Sequence, residues 1–186
     1  MLGIWANTAT AAIFVTYSGT GFNPALSLFD WTYSITLEPQ QNMRVGDFAS
    51  IYDVPGITGT PFFGSTNSDW SFDTTVQPFG LTPGGGPFPG ETSTDNVSVT
   101  LASIAGGGTS INGNPAGGPI ILGTLHILST SDVPTTADWA TRAEFNGGDS
   151  DTTGTTPVPI PEPGSLALMI VGLLAAGGLA FRRRQI

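Results

Sequence analysis

Asn96-Val97-Ser98-Val99-Thr100-Leu101-Ala102-Ser103-Ile104 alternates without a fault over its central part: Val97, Val99 and Leu101 fall on one face, Ser98, Thr100 and Ala102 on the other. A period of two belongs to a strand with one face in a core; a helix would repeat its apolar residues every three or four positions. Working outward, β-branched and aromatic residues recur in Ile13–Ser18, Leu26–Leu37, Asp47–Asp53, Trp70–Val76, Ile120–Ser129 and Trp139–Phe145, with turn-rich segments between them. Leu26–Leu37 keeps its alternation except for a slip at Phe29-Asp30, which predicts a β-bulge. Pro119–Leu128 is apolar on both faces and predicts a central strand. No stretch of this body shows helical periodicity. The expectation is an all-β domain of about seven or eight strands, a β-sandwich or jelly-roll-like fold, over residues 12–146.

Composition narrows the function classes. Of 186 residues, 26 are Gly and 15 Pro, there is no cysteine, and the net charge is -9. The five basic residues are all arginine, and only Arg44 and Arg142 lie in the body. A protein that reads duplex nucleic acid needs a basic footprint, so no nucleic-acid partner is expected. Disulfide staples and Cys-built zinc sites are excluded. Gln77–Asp95 and Gly106–Gly118 read as loops, and residues 147–157 as a flexible Gly/Thr/Pro stalk.

The last part of the chain has a different character. Pro157-Val158-Pro159-Ile160-Pro161-Glu162-Pro163 leads into Gly164–Phe181, eighteen residues without a charge, and then Arg182-Arg183-Arg184-Gln185-Ile186. As a helix the uncharged run would be about 27 Å long, close to a hydrocarbon core of about 30 Å, which predicts one C-terminal transmembrane helix over 164–181. Arg182, Arg183 and Arg184 act as a stop and orient the chain with its basic tail cytoplasmic and its acidic body on the far side. Pro161 and Pro163 remove two backbone donors and hold Glu162 in an extended segment that a protease groove could take without unfolding it. Gly172 and Ala176 have small-xxx-small spacing, which in a sorting helix reads as small size and weak hydrophobicity.

The ordered trio of Pro161-Glu162-Pro163, apolar span and arginine cluster resembles the PEP-CTERM sorting signal of Gram-negative bacteria, here over residues 158–186 (motif 158–163, helix 164–181, tail 182–186). The resemblance implies an exported precursor that an exosortase, an integral-membrane transpeptidase-like enzyme, processes near Pro161-Glu162-Pro163. It implies an inner-membrane intermediate with the body in the periplasm, then delivery to the cell surface or an exopolysaccharide matrix. Export needs a leader. Met1–Ala12 has no basic residue, but Ala9-Thr10-Ala11 fits the A-x-A cleavage pattern, so residues 1–11 are expected to be what is left of a signal peptide, with Ala9 and Ala11 at its cleavage site.

Signs of catalysis are sparse. His126 is the only histidine and lies in the apolar run Gly123–Leu128, where a packed or hydrogen-bonded role is expected. There is no G-x-S-x-G elbow, H-E-x-x-H, P-loop or G-x-G-x-x-G. A carboxylate glycosidase would draw its pair from acids such as Asp30, Asp47, Asp53, Asp69 and Asp73, and nothing in their spacing selects two. Asp149 and Asp151, in Asn146-Gly147-Gly148-Asp149-Ser150-Asp151, are candidate calcium ligands, although the segment is not a complete 12-residue loop. Trp31, Trp70 and Trp139, if exposed, would form a sugar-stacking platform. The expectation is an exported, non-enzymatic surface or matrix protein without catalytic residues, metal or cofactor, associated with exopolysaccharide. The alternatives are a carbohydrate-binding module acting through exposed aromatics and a carboxylate glycoside hydrolase.

Overall fold

The computed structural model describes residues 13–77 and 95–160. They form eleven strands in chain order: β1 (Ile13–Asn23), β2 (Leu28–Leu37), β3 (Asn42–Arg44), β4 (Phe48–Ile51), β5 (Phe62–Ser65), β6 (Trp70–Gln77), β7 (Asn96–Ile104), β8 (Ser110–Asn112), β9 (Ile120–Ser129), β10 (Pro134–Phe145) and β11 (Gly148–Pro159). Every pairing between them is antiparallel. One sheet has four strands in the order β1-β2-β9-β5; the other has seven, β6-β7-β4-β10-β3-β8, with β11 on the remaining edge of β10. Among the described residues no helix is long and apolar enough to cross a membrane. The helix expected over 164–181 lies outside them.

The core sits between the sheets. From the four-stranded sheet come Trp31, Tyr33, Ile35 and Leu37 of β2 and Leu122, Leu125 and Ile127 of β9; from the other come Ala49 and Ile51 of β4, Val97, Val99 and Leu101 of β7 and Trp139 of β10. Burying each large apolar side chain stabilises the fold by about 1.5–3 kcal/mol, and it is this face that fixes each strand's register. Polar links join the layers as well. The Tyr33 hydroxyl donates to the Pro157 carbonyl at 2.9 Å, and the Thr141 hydroxyl to the Ile13 carbonyl at 2.8 Å. This is the sandwich expected from the alternation. As anticipated, β9 is interior to its sheet, and β7 buries Val97, Val99 and Leu101.

Two expectations are corrected. The slip at Phe29-Asp30 is not a bulge: Phe29 pairs with Phe22 and Asp30 with Gly21 in unbroken register, and the irregularities fall at Tyr17/Gly19 and Ile35/Thr36. The strand begins at Leu28, so Leu26 belongs to the preceding turn and does not count in the alternation. The stalk over 147–157 is a strand. Asn146 and Gly147 both have positive φ (50° and 83°) and join Phe145 to Gly148, the two-residue hairpin for which Asn-Gly is the favoured sequence. β11 then pairs with β10 along its whole length, from Phe145↔Gly148 to Pro134↔Pro159. Its glycine has a packing reason. Gly154 faces Trp139, and a Cβ at that position would stand 2.5 Å from the indole ring. Thr156 and Val158 are buried. The folded body therefore runs to Pro159, and β3, β5, β8 and β11 are strands that apolar alternation does not reveal.

Candidate functional site

Two places on the molecule are candidates for function. One is the end of the body. Pro159 closes β11 opposite Pro134, and the Ile160 amide donates to the Val133 carbonyl at 2.8 Å. The segment that leads to Pro161, Glu162 and Pro163 is thus fastened to the sandwich up to the residue before Pro161. Pro161, Glu162 and Pro163, Arg182, Arg183 and Arg184, and Ala9 and Ala11 lie outside the described residues.

The other is the outer face of the four-stranded sheet. Register sets it up: Thr32 of β2 lies beside His126 of β9, and His126 beside Phe62 of β5, all on the side away from Trp31 and Tyr33. The Phe62 and His126 rings stack, 4.3 Å apart and 5° from parallel. His126 Nδ1 lies 2.9 and 3.1 Å from the two carboxylate oxygens of Asp30. Since an ionised carboxylate only accepts, Nδ1 carries the proton. Asp30 in turn borders a hollow of about 530 Å³, open to solvent and lined by Gly19, Gly21, Phe22, Asn23, Asp30 and Thr32 among others. The histidine expected to be packed or hydrogen-bonded is both, and its partner is one of the acids singled out in the sequence.

The remaining candidate acids are dispersed. Asp73 pairs with Thr100 across β6 and β7, and Asp47 lies in the turn before β4, both on the other sheet from Asp30. Asp47 is buried and accepts from the Arg44 amide at 2.7 Å. Burial raises its carboxyl above the ordinary value, and the Arg44 contact opposes that rise.

Asp149 and Asp151 meet arginines. Asp149 bonds Arg44, which also lies 3.4 Å from Glu144; Asp151 accepts from Arg142 Nε at 3.2 Å. In the hairpin register Asp151 lies opposite Arg142 and Asp149 opposite Glu144, so pairing of β10 with β11 brings these charges together. The two acids thus brace the hairpin, in place of the flexible ion-binding loop expected around them. Among the described residues no three His, Asp or Glu side chains converge as a metal site.

The tryptophan platform is not formed. Trp31 and Trp139 are 0% and 5% exposed, and Trp70 packs partly buried against the core. The indole N–H groups of Trp31 and Trp139 donate to the Ser131 and Thr155 carbonyls, which lets large rings sit inside without an unpaired polar atom. Among the described residues the exposed aromatics are instead phenylalanines, Phe22 at 58%, Phe62 at 50% and Phe14 at 37%. The signal for Phe22 and Phe62 was present in the sequence only as Phe-containing segments next to glycine.

No curated protein matches the chain. A family GH18 chitinase from Chromobacterium violaceum is similar in structure at 17% identity with a TM-score of 0.37, over 81% of this chain and 20% of that one. The chain spans about a fifth of that chitinase, and a similarity this low does not extend to activity. Residues 159–184 match the PEP-CTERM protein-sorting motif, beginning at the last residue of β11. The chain is thus a carrier of the PEP-CTERM sorting motif, which marks an exported protein and an exosortase as its processing partner.

Proposed function

We propose that this chain is a non-catalytic protein of the cell surface or extracellular matrix, associated with exopolysaccharide. It is made as a precursor that passes through the inner membrane with its sandwich in the periplasm. An exosortase then processes it near Pro161-Glu162-Pro163. The observation that carries the reading is the sorting motif at residues 159–184, joined without a spacer to a folded β body. The charge of -9 keeps such a body soluble and limits its adhesion to anionic polymers.

The non-catalytic part rests on how the acids are engaged. Asp30 is held by His126, Asp47 is buried against the Arg44 amide, and Asp149 and Asp151 face arginines. The test is C-terminal mass spectrometry of the mature protein from its native host, with and without the exosortase. The expected mature chain lacks Arg182–Ile186 only when the enzyme is present. A chain that keeps those residues beside active exosortase overturns the sorting reading. Release of reducing ends from polysaccharide by the purified chain would overturn the non-catalytic one.

A further inference from the structure

Gly21 has no structural reason to be glycine. It sits inside β1 opposite Asp30, its φ is not in the left-handed region, and a Cβ placed on it would meet nothing within 4 Å. Gly19, two residues earlier and opposite Thr32, does need its freedom, with φ at +146°. Glycine inside a strand weakens it relative to alanine, and where neither turn nor packing demands it, the bare backbone commonly serves a close-approaching ligand. The bare patch forms part of the hollow beside Asp30.

The groups around that patch define a chemistry. Asp30 is steadied by His126, itself stacked on Phe62, so its carboxylate is oriented before anything arrives. It is half-buried, where hydrogen bonds to a charged acceptor are stronger than those between neutral groups. Asn23 uses its Oδ1 to hold the Ala25 and Leu26 amides, which leaves its Nδ2 to donate. Phe22 borders the hollow with its backbone, while its ring meets Phe29 at 5.3 Å on the face opposite Asp30. A carboxylate acceptor and an amide donor beside a bare stretch of strand, around an open hollow of about 530 Å³, suit a polyhydroxylated ring. Charge selects further. Arg44 and Arg142, the body's only arginines, lie on the other sheet in ion pairs, and the chain is strongly acidic. An anionic ligand would meet the Asp30 carboxylate with no arginine in the hollow to balance it.

We propose that this hollow is a binding site for a neutral glycan. Asp30 accepts hydrogen bonds from vicinal hydroxyls, Asn23 donates to a sugar oxygen, and Gly21 leaves the gap through which the ring reaches the sheet. Asp30 and Asn23 touch the ligand; His126 positions Asp30. The inference deepens the proposed association with exopolysaccharide and is independent of the sorting step. A lipid surface would use only the apolar tip, Phe22 and Leu26, and would have no use for Asp30 or a bare Gly21.

The test applies the full chain to an array of neutral and uronic-acid oligosaccharides, then titrates the strongest neutral one by calorimetry. Phosphatidylglycerol vesicles serve as the lipid arm. The expected result is binding to neutral glycans, weakened about tenfold or more by Asp30→Asn. Gly21→Val should abolish binding while leaving the melting temperature equal or higher, because the new side chain fills only the hollow and suits a strand. Failure of neutral glycans to bind overturns the proposal, as does equal binding by wild type and Gly21→Val. Binding to uronic-acid oligosaccharides or vesicles alone also overturns it. Each of these leaves the C-terminal mass unchanged, so loss of the site and loss of the sorting reading are told apart.

Discussion

β7 and β11 belong to the same sheet and have 9 and 12 residues, yet they hold their places for opposite reasons. β7 carries its own: Val97, Val99 and Leu101 are buried and any partner surface that is apolar would hold them. β11 has no apolar residue before Pro157 and is held by what surrounds it. The Asn146-Gly147 turn aims it, Gly154 makes room for Trp139, and Arg44 and Arg142 collect its acids. Tyr33 then donates to the carbonyl of Pro157 as the strand enters the core. Apolar alternation reports what a strand buries of itself; it is silent about a strand whose contribution is to accommodate its neighbour.

The sharpest way to break the comparison is to end the chain after Asn146. Were residues 147–157 a stalk, urea unfolding would not change. With β11 a strand, the truncated chain loses Val158, the partner of Tyr33 and the whole free edge of β10. The expected loss is on the order of a small domain's total stability, and cooperative unfolding disappears. Next comes Leu101→Ala in β7, expected to cost about 2–5 kcal/mol in the same measurement, the range for deleting a large core side chain.

Gly154→Ala tests β11 at one atom. A methyl group forced against the Trp139 ring should cost about 1–3 kcal/mol and shift the tryptophan fluorescence, whereas an exposed stalk glycine would give no loss. The smallest effect links the two strands. The Leu101 amide donates to the Asp47 carbonyl, and Asp47 accepts from Arg44, which reaches Asp149 of β11. Burial holds the Asp47 carboxyl above its ordinary value, so the folded state keeps a proton the unfolded state has released. Stability from this group is therefore complete below the ordinary value near 3.8 and declines as pH rises through the folded one. Asp47→Asn keeps an acceptor for Arg44 but cannot ionise. Its stability relative to wild type should rise from pH 3.5 to 7; a flat difference would contradict the shift.

The candidate glycan site was legible only in pieces. Asp30 and His126 each stood out in the sequence, but they are 96 positions apart, and their contact exists because β2 and β9 pair with Thr32 beside His126. Gly19 and Gly21 ended the expected first strand at Ser18, as glycines ordinarily would. The strand runs on to Asn23 because β2 supplies a hydrogen-bonding partner for the bare backbone. The tryptophans were visible as large aromatics, but which side of a sheet they occupy depends on register and on carbonyls found far along the chain.

By itself the amino-acid order settled the β class of the body, the buried face of β7, the central place of β9 and the sorting motif, since each rests on neighbours within about ten to thirty residues. Tertiary structure alone decided that the body extends to Pro159, that its acids near Asp149 face arginines, and that Asp30 meets His126 beside a bare strand. Those depend on pairings between distant segments. A strand's backbone can pair with almost any other strand, so composition does not name the partner; only the packed sandwich, by fixing every register at once, does.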